Sequence, residues 1–310
     1  MERKFADPRK TFGAAVLTVA RENPDVVVLS ADSGGSSGFG DFQKEFPDRY
    51  YEFGIMEQGV MGIASGLATT GKIPVFCAIA PFVTCRPYEM FRNDLGYMGQ
   101  NAKIVGRNAG ISYSDLGATH HSLEDYAITR LIPGVTVLAP QDPGEIITAT
   151  CAMLEHKGPV YMRIGNNPIP YLYEEKPFKI GAGSVVRDGN DVTIIVTGAL
   201  AESVIDAADE LFAKGVDARV VAMPTVWPID RDLVLESAKN TGRIVTVEEH
   251  YVIGGLGTIV QEICSDELPT PIKKIGIPHC YATSGPYDEL LSYYGLDTPG
   301  ITKTVMDFVK

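Results

Sequence analysis

Tyr50-Tyr51-Glu52-Phe53-Gly54-Ile55-Met56-Glu57-Gln58-Gly59 runs directly into a small-residue segment, Val60 to Ala68, that contains Gly62, Ala64, Ser65, Gly66 and Ala68. Glycine costs up to ~1 kcal/mol per helical site relative to alanine, so such a helix is not selected for propensity. Small side chains let another backbone come close, and the segment predicts a helix packed against a partner. Glu57 then stands at the mouth of a buried helix, where a carboxylate must be paired or protonated. On the local pattern it is either a capping or salt-bridged glutamate or an acid kept for chemistry.

Short, continuous apolar runs flank this segment. Val26 to Ser30 reads as a buried strand preceded by a helix from about Lys10 to Glu22, and Ile73 to Ile79 is a second strand. Ala102 to Gly106 and Val135 to Leu138 read as two more. Asp142-Pro143-Gly144-Glu145 then starts a helix reaching about His156, because Asp followed by Pro at the first helical position is a strong start signal. Strands of this kind between helices imply a parallel sheet covered on both faces.

A proline-bearing, irregular stretch follows, and a second alternating unit begins after it. Strands are expected at Asp191 to Gly198, Asp217 to Ala222, Arg243 to Glu248 and Ile272 to Ile277. Helices are expected at Ala201 to Gly215, Asp230 to Thr241 and from Gly254 to Cys264. The chain therefore reads as an α/β protein of two doubly wound domains with mainly parallel sheets: residues 1–170, a linker at 171–184, and residues 185–310. Its 310 residues suffice for two such cores.

The net charge of -12 argues against general nucleic-acid binding, which needs a basic face. It leaves room for a local basic pocket. Cys77, Cys85, Cys151, Cys264 and Cys280 are scattered and lack CxxC spacing, which suits a reduced compartment and gives zinc no support. No signal-like apolar run opens the sequence and no stretch of about 20 apolar residues suggests a membrane span. A cytoplasmic protein is expected.

Several segments could carry chemistry. Ala31 to Gly38 (Ala-Asp-Ser-Gly-Gly-Ser-Ser-Gly) follows a strand and could present N–H groups to an anion, yet it fits no dinucleotide or Walker pattern. A plain flexible loop reads equally well. Gly254-Gly255-Leu256-Gly257 reads better as a tight turn into a helix. The adjacent His120 and His121 follow a polar loop from Asn108 to Asp115. Neighbouring side chains point apart, so at most one serves a given site, and no ligand set at metal spacing accompanies them. Arg163 ends an apolar strand, where α/β sheets bind ligands, or else it bridges two domains.

Arg9, the Ala31-Asp32 loop, Phe-Gly-Ile-Met-Glu57-Gln, Pro81-Phe82-Val83-Thr84, Gly-Ala-Thr-His120, Arg163 and Gly-Gly-Leu-Gly257 occur in one order over essentially the whole chain. That order resembles the second half of a transketolase, the pyrimidine-binding and C-terminal domains that some organisms encode as a separate polypeptide. The resemblance implies thiamine diphosphate as cofactor and sugar phosphates as substrates. It implies that Glu57 hydrogen-bonds N1′ of the aminopyrimidine, that Phe82 stacks on that ring, and that Asp32 and Ile79 lie beside it. His120 would meet substrate oxygens as charge develops. Arg9, Ser36 and Arg163 would hold the distal phosphate, with Asn108, Leu116 and His121 lining the sugar.

The family holds the diphosphate through Mg²⁺ with a Gly-Asp-Gly motif, which is lacking here. The resemblance therefore implies an N-terminal partner subunit that carries the Mg²⁺ site, an α2β2-type assembly, and no metal ligands in this chain. Leu116 replaces an acidic residue that recognises a sugar hydroxyl, and Asn108 stands where many members have histidine. These departures point towards a branched or sulfonated sugar donor, or to divergence compensated by Asp115 or His121. Rival expectations are a deoxyxylulose-phosphate-synthase-like subunit, a 2-oxo-acid dehydrogenase β-type subunit, or a catalytically silent partner.

Overall fold

The computed structural model describes residues 3–310, so Met1 and Glu2, at the start of the expected first domain, lie outside the described residues. The first sheet has seven strands, in spatial order Thr225–Trp227, Thr136–Leu138, Val160–Arg163, Lys103–Arg107, Ile73–Ile79, Val26–Ser30 and Tyr50–Glu52. All neighbours run parallel except Thr225–Trp227, which pairs antiparallel with Thr136–Leu138. The second sheet orders Ile272–Ile277, Ile244–Tyr251, Val192–Val196, Ala218–Ala222 and Ser184–Arg187, with only the last strand antiparallel. The chain is α/β, with mainly parallel sheets as expected. Residues 171–183 form no helix or strand.

Side-chain alternation along the central strands gives the first sheet two apolar faces. Val26, Val28, Val75, Cys77 and Val105 pack against Phe12 and Val16 of the Pro8–Glu22 helix and against Ile146 and Ala149 of the Pro143–Glu155 helix. Leu29, Phe76, Ile104 and Tyr161 pack on the other side with Val60, Met61 and Ala64 of the Glu57–Thr69 helix. That second cluster continues into Ile195, Val221 and Leu256, so the two halves share an apolar core.

The Asp-Pro start signal acts twice. Asp142 accepts from the Glu145 N–H ahead of Pro143, as expected, and Asp7 accepts from the Arg9 and Lys10 N–H groups ahead of Pro8. The first helix consequently begins two residues before the expected Lys10. Thr225–Trp227 is the larger surprise. It lies in the second half of the sequence yet forms the edge of the first sheet. Three residues between Pro224 and Pro228 carry too little periodicity to announce a strand.

Candidate active site

The parallel strands aim their carboxyl ends at one rim, and several of the residues flagged by sequence end or follow those strands. Asp32 follows Val26–Ser30, and the exposed Asp32 side chain sits on a left-handed backbone with φ 55°. Ile79 closes its strand and is half-buried. Phe82 lies in the short Ala80–Val83 helix that follows directly. Asn108 and the loop to His121 follow Lys103–Arg107, and Arg163 ends Val160–Arg163.

Glu57 is the first residue of its helix, where the positive end of the helix dipole favours a carboxylate. It is 5% exposed and accepts a 2.6 Å hydrogen bond from Arg86 Nη1. The Arg86 guanidinium in turn lies 3.9 Å over the Phe82 ring. A planar N–H-bearing group thus stacks on Phe82 while donating to Glu57. The edge of Phe82 meets the His120 ring at 5.2 Å, and Tyr113 meets His120 at 5.6 Å. His120 Nδ1 is engaged by Thr119 Oγ1 at 2.9 Å, which orients the ring and leaves Nε2 to meet a ligand.

The helix outer face differs from a helix closed off within its own chain. A Cβ on Gly66 would meet nothing within 4 Å, and one on Gly62 would reach only Asp94 at 3.7 Å. Ile55, Met56, Tyr97 and Met98 are also exposed. The close packing that the small residues predict is therefore not made inside this chain on that stripe.

The remaining flagged residues divide. Arg9 is held by Asp7 through Nε and Nη2 at 3.2 and 2.9 Å. Ser36 donates to the Ser33 carbonyl and accepts from Arg107 Nη2 at 2.8 Å. The loop carrying Ser36 is pressed onto the first helix, because Cβ atoms added at Gly13 or Gly38 would collide with the facing backbone at 2.1 and 2.2 Å. Asn108 is buried, with φ 56°, and its Oδ1 accepts from Arg107 Nη1 at 2.8 Å. Leu116 is 45% exposed on the loop ahead of His120. His121 is buried, burial lowers its pKa, and neither ring nitrogen has a hydrogen-bond partner of ordinary geometry among the described residues.

Arg163 stands apart from Arg9 and Ser36. Its guanidinium is enclosed: Nη1 donates to Asp125 Oδ1 at 2.8 Å, Nη2 to the Glu249 carbonyl at 2.8 Å, and its carbon lies 4.3 Å over Tyr126. Tyr161 also donates to Asp125, at 2.7 Å. Glu249 Oε1 accepts from the Ile111 N–H at 2.7 Å, and Tyr287 donates to Oε2 at 3.0 Å. Gly110 makes this approach possible, since a Cβ there would stand 2.3 Å from Glu249 Oε1. Burial pushes the Glu248 and Glu249 carboxyls up to about 7 and the His250 imidazole down to about 4. This network fastens the His120 loop to the second half.

Sequence reasoning missed Arg86, Tyr113 and Arg107. Arg86 carried a faint signal, one helical turn beyond Phe82. Arg107 is directly next to Asn108, but a single basic residue ending an apolar strand has no motif of its own.

Residues 6–169 match the transketolase pyrimidine binding domain family and residues 181–301 the transketolase C-terminal domain family. The chain is 40% identical to one of the subunits of the apulose-4-phosphate transketolase of Phocaeicola vulgatus, covering 97% of each sequence. It is 36% identical to the 6-deoxy-6-sulfo-D-fructose transketolase subunit of a Clostridium species, covering 95% of this chain and 92% of that one. A solved split-gene transketolase, described as an inactive β4 tetramer, superposes with TM-score 0.91 at 39% identity and covers 97% of both chains. With matching domains, relatives and architecture along its length, this chain belongs to the transketolase family as a C-terminal subunit of the split, thiamine-diphosphate-dependent kind.

Proposed function

We propose that this chain joins a separate N-terminal subunit to form a transketolase that moves a two-carbon ketol unit from a ketose (phosphate) donor to an aldose phosphate. The observation that carries the reading is the contact set around Glu57. A planar N–H donor stacked on Phe82 and bonded to a buried carboxylate makes the contacts an aminopyrimidine needs, so these residues fit the pyrimidine half of thiamine diphosphate. Once bound, that cofactor supplies the carbon nucleophile that accepts the ketol unit.

The chain's own residues would do the following. Glu57 would exchange Arg86 for the ring nitrogen and hold a proton at N1′. Arg86 can withdraw because its side chain is 39% exposed. Phe82 and Ile79 set the plane of the ring, with Asp32 at the rim beside them. His120 Nε2 holds a proton at the substrate's carbonyl or hydroxyl oxygen. The exposed Leu116 and the buried Asn108 make the sugar's surroundings less polar, favouring a branched or sulfonated donor, as the names of the two relatives suggest.

Because this chain carries no Gly-Asp-Gly motif, Mg²⁺ and the diphosphate would be held by the N-terminal subunit. The open Gly62/Gly66 stripe beside Ile55 and Met56 supports a chain–chain contact at the site's edge, in an α2β2-type assembly. The solved relative's inactive β4 form agrees with a chain that needs its partner.

The test is to mix the purified chain with its N-terminal subunit, thiamine diphosphate, Mg²⁺ and a panel of ketoses. Transfer is expected only in the mixture. Micromolar cofactor binding by the isolated chain would overturn the two-chain reading.

A further inference from the structure

Two arginines end adjacent strands at the rim, and their surroundings are opposite. Gly106 and Arg163 are register partners between Lys103–Arg107 and Val160–Arg163, so their side positions share one face of the sheet. Arg107 is one residue further on and therefore faces the other side. That side carries the Pro8–Glu22 helix and the Ser33–Gly38 loop, hence Arg9 and Ser36.

The charges differ as well. Arg163 is neutralised by Asp125 at 2.8 Å. Arg107 is 5% exposed, and its hydrogen-bond partners are all neutral: Nε donates to Ser37 Oγ at 3.1 Å, Nη1 to Asn108 Oδ1 at 2.8 Å and Nη2 to Ser36 Oγ at 2.8 Å. Each Nη keeps a second N–H. Burial lowers the Arg107 pKa and the neighbouring Arg9 lowers it further, while the buried Cys77 thiol lies within electrostatic reach of both guanidinia. A buried cation near a second cation, with no carboxylate accepting from it among the described residues, suits an anion. Tyr113, whose ring edge meets His120, is also within electrostatic reach of Arg107.

We propose that Arg107, rather than Arg163, is the buried cation that grips the terminal oxyanion of the sugar substrate, a phosphate ester or a sulfonate, together with Arg9 and Ser36. Asn108 and Ser37 hold the guanidinium in place, and the outer N–H groups with the Ser36 hydroxyl face the anion. Arg163 is a structural residue that ties the Asp125 helix to the second half. The inference deepens the transketolase reading and rests on it for the identity of the sugar.

The experiment compares wild type with Arg107→Gln and Arg107→Lys in the reconstituted two-chain enzyme. Donors are fructose 6-phosphate, 6-deoxy-6-sulfofructose and the uncharged erythrulose. Arg107→Gln is expected to raise KM for the anionic donors by about 10–100-fold, the range for a hydrogen-bonded charge, with kcat nearly unchanged. KM for erythrulose should not move, and Arg107→Lys should fall between. A rise confined to one anion tells phosphate from sulfonate. In parallel, inorganic phosphate is titrated into the isolated chain. It should raise the melting temperature of wild type and not of Arg107→Gln, with sodium chloride as the ionic-strength control. Equal KM rises for charged and uncharged donors, or phosphate stabilisation that survives in Arg107→Gln, overturn the assignment. If wild type transfers from no ketose, the functional reading fails, while the phosphate titration still decides the role of Arg107.

Discussion

Glu249 Oε1 accepts a 2.7 Å hydrogen bond from the Ile111 backbone N–H, joining the Ile244–Tyr251 strand to the loop that carries His120. Burial lifts this carboxyl from 4.5 to about 7. Between those values the folded chain holds a proton that the unfolded chain has released, so this group's contribution falls as pH rises from about 4.5 and is fully lost above 7. Glu249→Gln keeps an acceptor for Ile111 and cannot ionise. Relative to wild type it should therefore gain stability from pH 5 to pH 8, by about 1–3 kcal/mol. His250, held at about 4 against an ordinary 6.5, works in the opposite direction in both proteins and cancels in the comparison. Urea denaturation at both pH values checks this, and parallel pH profiles would refute it.

Replacing Glu57 by Gln retains a hydrogen-bonding isostere but cannot share a proton with N1′. Hydrogen–deuterium exchange at thiamine C2 in the reconstituted enzyme should slow by about 10²–10⁴, the range for a positioned acid–base group. Unchanged exchange would make Glu57 a structural partner of Arg86 and nothing more.

Asp142 combines two tasks. Oδ1 caps the Pro143–Glu155 helix through the Glu145 N–H at 2.7 Å, and Oδ2 accepts from the Leu172 and Tyr173 N–H groups at 2.8 and 3.0 Å. Asp142→Ala should cost about 2–4 kcal/mol, more than an ordinary cap, because the connecting stretch loses its anchor as well. Loss of only a cap's worth in thermal unfolding would show that the anchor contributes nothing.

On the proposed reading, Leu116→Asp would supply an acceptor for a linear ketose hydroxyl. If the native donor is branched or sulfonated, the change should shift kcat/KM towards xylulose 5-phosphate and away from that donor by about 1–3 kcal/mol in total. A wild type that prefers xylulose 5-phosphate, with the variant worse on every donor, would reduce Leu116 to divergence.

The strands at Val26–Ser30 and Ile73–Ile79 were legible because both faces of a central parallel strand are buried and its apolar run is unbroken. Asp142 was legible because a cap needs a specific side chain followed by a residue that can start a helix. The pairing of Glu57 with Arg86 was half legible: burial demanded a partner, but which cation reaches it depends on how the Phe82 turn folds. Arg163 could be placed at a strand end but not on a face, since a face follows from register with neighbouring strands. Arg107 stayed hidden for the same reason. What marks it is that, among the described residues, only neutral groups accept from its guanidinium, and only the packed neighbours reveal that.

The Thr225–Trp227 strand has a consequence for how such a protein can be divided. Separating the two halves at the helix- and strand-free 171–183 stretch would leave Thr136–Leu138 as a bare outer strand, its unpaired N–H and C=O groups open to any foreign strand. The freed remainder would carry a short ribbon with nothing to lie against. The first half produced without residues 225–227 would therefore be expected to self-associate through that edge, so the short strand acts as a cover supplied by the second half.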